Sequence, residues 1–129
     1  MNSKQSYTVA VRREFTARHY LIGGDWGAEN EPHEHRYAAE IRLQGPELDR
    51  HGYLVDIDAV TAALEGQVAR FRNKTLNDLP EFEGLNPSVE HLARIMGESL
   101  TAVRPSHLKV LTVRIWENDI AWVEYRKEF

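Results

Sequence analysis

His33-Glu34-His35-Arg36-Tyr37-Ala38-Ala39-Glu40-Ile41-Arg42-Leu43-Gln44 is the stretch on which the reading of this chain turns. Tyr37, Ala39, Ile41 and Leu43 share one parity, and Arg36, Glu40 and Arg42 the other. That alternation predicts a half-buried strand over residues 35–44. His33 and His35 sit two apart just before it, so in extended backbone both imidazoles point to one face. Toward the N-terminus, residues 7–19 alternate in the same way, with Val9 and Val11 followed by Phe15 and Ala17, and end on His19. If the two strands pair, three imidazole nitrogens converge with a fourth position open. That is the layout of a catalytic zinc site rather than a structural one. From spacing alone, three unrelated histidines at strand ends are an equally good account.

The segments around this pair set the architecture. Residues 22–32 form a loop rich in Gly, Asp and Asn, broken by Gly23-Gly24 and Gly27, and a loop of that length in a small domain is functional or mobile. Residues 56–71 carry a helical stripe of Ile57, Val60, Leu64, Val68 and Phe71, with Asp56 as the expected N-cap. Residues 73–86 are irregular and polar. A second helix is expected to start at Asn86-Pro87, with Asn as cap and Pro in the first turn. Its stripe is Val89, Leu92, Met96, Leu100 and Val103, and Pro105 ends it. Residues 108–117 and 120–125 read as strands around Asn118-Asp119, a tight hairpin turn. The order strand, strand, helix, helix, strand, strand predicts an α+β fold, an antiparallel four-stranded sheet with two helices on one face.

Composition narrows the function. The 129 residues are expected to form a single domain, residues 1–129, large enough for one ordinary core. A formal charge of −4, with both signs interspersed, argues against nucleic acid as a partner. Met1-Asn2-Ser3-Lys4-Gln5 has no apolar h-region, so no secretory signal is expected there, and no apolar run approaches the ~20 residues that span a bilayer. The chain has no cysteine, so disulfides, thiolate metal sites and cysteine nucleophiles are all excluded. A cytoplasmic protein is expected on these grounds.

With its motifs in place, the chain resembles the 6-pyruvoyl-tetrahydropterin synthase and 6-carboxytetrahydropterin synthase family. Phe15-Thr16-Ala17-Arg18-His19 resembles the family's Phe-Ser/Thr-Ala-x-His strand end. His33-Glu34-His35-Arg36-Tyr37 resembles its His-Gly-His-x-Tyr/Phe. Leu54-Val55-Asp56-Ile57 is similar to its approach to the first helix, and Leu76-Asn77-Asp78 to its Leu-Asn-Asp. Pro87-Ser88-Val89-Glu90-His91-Leu92-Ala93 is similar to Pro-Thr-x-Glu-Asn-Leu-Ala, and Trp116-Glu117-Asn118 to a strand-end Glu-Thr. The resemblance implies a tunnelling fold: a homo-oligomeric barrel, trimer or hexamer, with active sites between subunits. It implies zinc held by His19, His33 and His35. It also implies that Glu117 grips the pyrimidine side of a pterin, with Glu90 linked to the same pocket.

The departures bear on the chemistry. The family's cysteine base lies just before the His pair, where this chain has Glu29-Asn30-Glu31-Pro32. The family's Asp-His pair before Leu-Asn-Asp corresponds to Arg72 and Asn73, and the middle Gly of His-Gly-His is Glu34. Glu29 or Glu31 is therefore the expected base, and burial would be needed to raise a carboxylate from ~4.3 toward working pH. His91 is the best remaining proton carrier, and Arg72 a candidate for an anionic group of the substrate. The implied activity is a zinc-dependent lyase, carbon–oxygen or carbon–carbon, acting on dihydroneopterin triphosphate or a related 6-substituted pterin. The rivals are a paralogue that binds zinc and a pterin without turnover, and a metal site serving another small molecule. Trp26, Trp116 and Trp122 are candidates for core, subunit contact or ring stacking, with nothing in the sequence to choose among them.

Overall fold

The computed structural model describes residues 4–129; Met1, Asn2 and Ser3, part of the stretch read for a signal, lie outside the described residues. Two long strands, β1 (Tyr7–His19) and β2 (His33–Gly45), pair antiparallel through their whole length, from Tyr7 opposite Gly45 to His19 opposite His33. Two helices follow, α1 (Ile57–Phe71) and α2 (Val89–Thr101), and then β3 (Val110–Trp116) and β4 (Trp122–Glu128). The sheet order is β1-β2-β3-β4, antiparallel throughout. The expected architecture is therefore the observed one.

Both helices lie on the face that carries Phe15, Tyr37, Ile41 and Val113. Leu64, Val68 and Phe71 of α1 and Leu92, Met96 and Leu100 of α2 are buried against them. Asp56 caps α1 by accepting from Asp58 N and Ala59 N. Ile57, placed on the apolar stripe by sequence, is in fact exposed at the first turn, because the stripe meets the sheet only from Val60 onward.

The second helix starts later than expected. Ser88, not Asn86, is its N-cap, and Ser88 Oγ accepts from His91 N at 3.1 Å. The Asn86 side chain instead accepts from Ile22 N at 2.9 Å. Val103 lies beyond the end of α2 and is exposed. The hairpin is also longer than a two-residue turn. The strands stop at Trp116 and Trp122, and Asn118 Oδ1 bridges back to Ile120 N and Ala121 N. That Asx geometry holds a five-residue connection.

The opposite face of the sheet has no helix and is a ladder of charges. Arg36 pairs with Glu14 at 2.7 Å, Arg42 with Glu40 at 3.1 Å and Arg114 with Glu124 at 3.0 Å. None of the described helices is long and apolar enough to cross a membrane.

Candidate metal centre

The register of β1 and β2 builds the site. His19 is directly opposite His33, and Ala17 is opposite His35. All three imidazoles are therefore on the helix-covered face at one end of the sheet. Their ring centroids are 4.5, 5.0 and 4.8 Å apart, and the rings stand at 67° to 90° to one another. One nitrogen from each lies within 4.8 Å of the others, so the three could hold one metal ion.

Hydrogen bonds set the tautomers. His19 Nδ1 is 2.8 Å from the Pro87 carbonyl, and His33 Nδ1 is 2.8 Å from the Glu31 carbonyl. A carbonyl only accepts, so each Nδ1 carries the proton and each Nε2 keeps a lone pair. This carbonyl bracing is the usual support behind metal-bound histidines. Nε2 of His33 and of His35 is buried and has no hydrogen-bond partner, as expected of atoms waiting for a ligand. His19 is only 3% exposed. Burial lowers its pKa, against the opposing pull of the Pro87 carbonyl, and so favours the neutral imidazole a metal requires.

The segment after α1 supports His19 from outside. Asn73 takes a left-handed φ of 58° at the end of α1, a conformation asparagine tolerates, and its N–H reaches Thr16 O at 2.6 Å. The turned chain then runs along the edge of β1, where Arg18 N donates to Lys74 O at 2.9 Å. Asn77 clasps Tyr20 twice, its Oδ1 accepting from Tyr20 N at 3.0 Å and its Nδ2 donating to Tyr20 O at 2.9 Å. The motif Leu76-Asn77-Asp78 does not by itself disclose this task. An asparagine inside the short turn Leu76–Asp78 is the only signal.

Glu117 is the one proposed binding or catalytic side chain that the structure puts in contact with the cluster. Its Oε1 is 3.1 Å from His35 Nε2, close enough for charge attraction though not aligned as a hydrogen bond. A cleft of about 640 Å³ opens at the sheet end, lined by His35, Glu117, Asn118 and Asp119 and running past Trp116 onto the helix-free face along Arg12, Glu14 and Arg36. That volume is in the range of small-molecule sites. Trp116 is the tryptophan on this cleft, and its ring meets Trp122 edge-on at 6.3 Å.

The other candidates lie elsewhere. Glu29 and Glu31 are exposed, and Glu31 touches the cluster through its carbonyl. Glu90 is exposed on the first turn of α2. His91 Nδ1 is 3.0 Å from Arg94 Nη2. Arg72 pairs with Glu65 at 3.6 Å and lines a separate depression with Arg36 and Asn73.

A charge-faced antiparallel sheet, two covering helices and a trio of histidines that could hold a metal ion beside a polar cleft define a small α+β protein. Residues 8–128 match the family model for 6-pyruvoyl tetrahydropterin synthase, and the chain belongs to that family. Its members are pterin-processing enzymes. A dihydroneopterin monophosphate aldolase from Pyrococcus furiosus is 25% identical over 116 residues, covering 90% of this chain and 94% of that protein. The 6-pyruvoyl tetrahydropterin synthase of Caenorhabditis elegans superposes with a TM-score of 0.82 at 22% identity, over 99% of this chain and 100% of that one. A 6-pyruvoyltetrahydropterin synthase from Plasmodium vivax superposes with a TM-score of 0.80 at 11% identity, over 98% and 100%. The expected tunnelling fold is thus the fold of the subunit.

Proposed function

We propose that this protein is a zinc-dependent lyase that cleaves the side chain of a phosphorylated dihydroneopterin between its first two carbons. The observation that carries the reading is the placement of Glu117 beside His35, in a cleft that reaches the histidine cluster at His35. Support for carbon–carbon cleavage comes from the Pyrococcus relative, an aldolase acting on the monophosphate.

In this reading His19, His33 and His35 hold the zinc. When bound, the metal supplies positive charge that stabilises negative charge developing on a side-chain oxygen of the substrate. Glu117 accepts hydrogen bonds from the N–H groups of the pyrimidine edge, and Trp116 flanks the ring. Glu31 takes the proton of the 2′-hydroxyl. The bond between the first and second side-chain carbons breaks, an aldehyde leaves with the phosphate, and the bonding electrons pass into the dihydropterin ring. Proton return to the first carbon then gives the 6-hydroxymethyl product.

Glu31 is preferred to Glu29 because its own carbonyl braces His33, which puts its side chain two residues from a ligand. A glutamate is a reasonable base here, since a Plasmodium vivax relative has been solved with a glutamate, described as a catalytic residue, replaced by alanine. In this reading Glu90, His91 and Arg72 are assigned to the site of a neighbouring copy. The protein is accordingly proposed to work as a homo-oligomer.

The second reading, binding without turnover, draws on the exposure of both Glu29 and Glu31. Incubation of the zinc-loaded protein with dihydroneopterin monophosphate and triphosphate separates the two. Release of 6-hydroxymethyl-dihydropterin, seen by mass, is the expected result. Tight binding with no product over hours supports the second reading, and neither binding nor product removes both.

A further inference from the structure

Tyr37 is the largest polar side chain buried beside the histidines, and its hydroxyl has no hydrogen-bond partner. The ring is well accommodated. It stacks on Phe15 at 5.4 Å and lies 5.7 Å from the His35 ring and 6.4 Å from that of His19. Only the hydroxyl is out of place, because a buried O–H without an acceptor costs as much as a lost hydrogen bond. Phenylalanine would fill the same space without that cost. A group that makes the resting protein less stable needs a partner that arrives in another state.

The sheet register shows where that partner is. The last β2–β3 pair is Ala38 opposite Trp116. One step further along, Tyr37 faces Glu117, and alternation puts both side chains on the helix-covered face. The Glu117 carboxylate now leans the other way, to His35 Nε2 at 3.1 Å. If that nitrogen is occupied by a metal, it has no lone pair or proton left for Glu117. The carboxylate is then free, and the Tyr37 hydroxyl, on the same face of the adjoining strand, is a buried donor without a partner.

We infer that Tyr37 is a positioning residue for Glu117. Its hydroxyl donates to the freed carboxylate and aims the remaining lone pairs at the pterin. The inference rests on the reading above, in which Glu117 meets the pterin ring. A carboxylate has room for this bond and for two from the ligand.

The test compares zinc-loaded parent and Tyr37→Phe, with 7,8-dihydroneopterin as the probe. Zinc content should be unchanged and Tm equal or higher, while the Kd for the pterin weakens roughly 5- to 30-fold, the range for a hydrogen bond to a charged group. The same substitution in a Glu117→Gln background should weaken binding by less than threefold, since the two changes act on one contact. Equal loss in both backgrounds would show that the hydroxyl acts without Glu117 and overturn the inference. So would a Kd that Tyr37→Phe leaves alone, or a joint fall in Tm and zinc content. A parent that binds no pterin would overturn the proposed function and this inference with it, a result distinct from a parent that binds and a variant that binds equally well.

Discussion

His19 bears the tightest constraint of the three histidines, because it is buried and its Nδ1 proton is committed to the Pro87 carbonyl. Its replacement cannot be rescued by a neighbour. His19→Ala is expected to drop zinc content from near one per chain to a small fraction, read by metal analysis after gel filtration. A zinc-replete His19→Ala protein would sink the metal assignment. Away from the site, Glu81 offers a residue-level test of pH dependence. Burial pushes its carboxyl up, but the hydrogen bond from Arg70 at 2.7 Å, with the charges of Arg70 and Lys74, outweighs burial and leaves the pKa below the ordinary 4.5. A depressed carboxylate pKa stabilises the fold above its unfolded value, and the gain is lost as pH falls through the folded one. Glu81→Gln should therefore cost up to about 1 kcal/mol at pH 7 and progressively less below pH 4.5, measured by urea unfolding at each pH. A deficit that stays constant across that range would refute the linkage.

At the scale of the element, strands and helices were legible because each carries a clean period. Alternation in residues 35–44 predicted β2, and the 3–4 steps of Val60, Leu64 and Val68 predicted α1. The errors fell at ends, where several residues compete for the same role. Asn86 and Ser88 are both good caps, and only the fold reveals that Asn86 is taken by Ile22. The histidine trio was legible for the same periodic reason. The bracing by Pro87, the Asn77 clasp and the position of Trp116 on the cleft depend on contacts between residues distant in sequence, which no local pattern encodes. The cap has a functional consequence, since Ser88 follows the residue that braces His19. Ser88→Ala should lower stability by about 1 kcal/mol and weaken zinc several-fold in a chelator competition, whereas a cap remote from the site would touch stability alone. The packing of α2 on β4 is equally specific. A Cβ on Gly97 would lie 2.7 Å from Tyr125 Cε2. Gly97→Ala should therefore lose about 1–3 kcal/mol in chemical denaturation, despite the better helix propensity of alanine. An unchanged midpoint would mean that helix and strand do not approach this closely.

For the whole molecule, the exposed sheet edges and the charged face together point to assembly. The outer edge of β1 is partly covered by residues 73–75, but among the described residues no element covers the outer edge of β4. An uncovered edge strand is a template for another chain. The helix-free face, with its alternating Arg and Glu pairs, suits the wall of a hydrated tunnel and not an apolar core. Head-to-tail pairing of β4 on the β1 of the next copy would close a ring, which is the arrangement proposed for the working protein. The pairing can be broken without harming the subunit. Phe129 N donates inward to Lys109 O, so alternation turns the N–H of Arg126 outward, to the free edge. Arg126→Pro removes an outward donor and leaves the β3–β4 ladder intact. The parent should run as a trimer or a multiple of three in native mass spectrometry, and Arg126→Pro should shift toward monomer with its far-UV spectrum retained. Pterin binding should fall with the assembled fraction if Glu90, His91 or Arg72 serves a neighbour's site. A parent that is monomeric at micromolar concentration, or a monomeric variant that binds pterin as well as the ring does, would remove the shared-site arrangement and leave the histidine cluster to act alone.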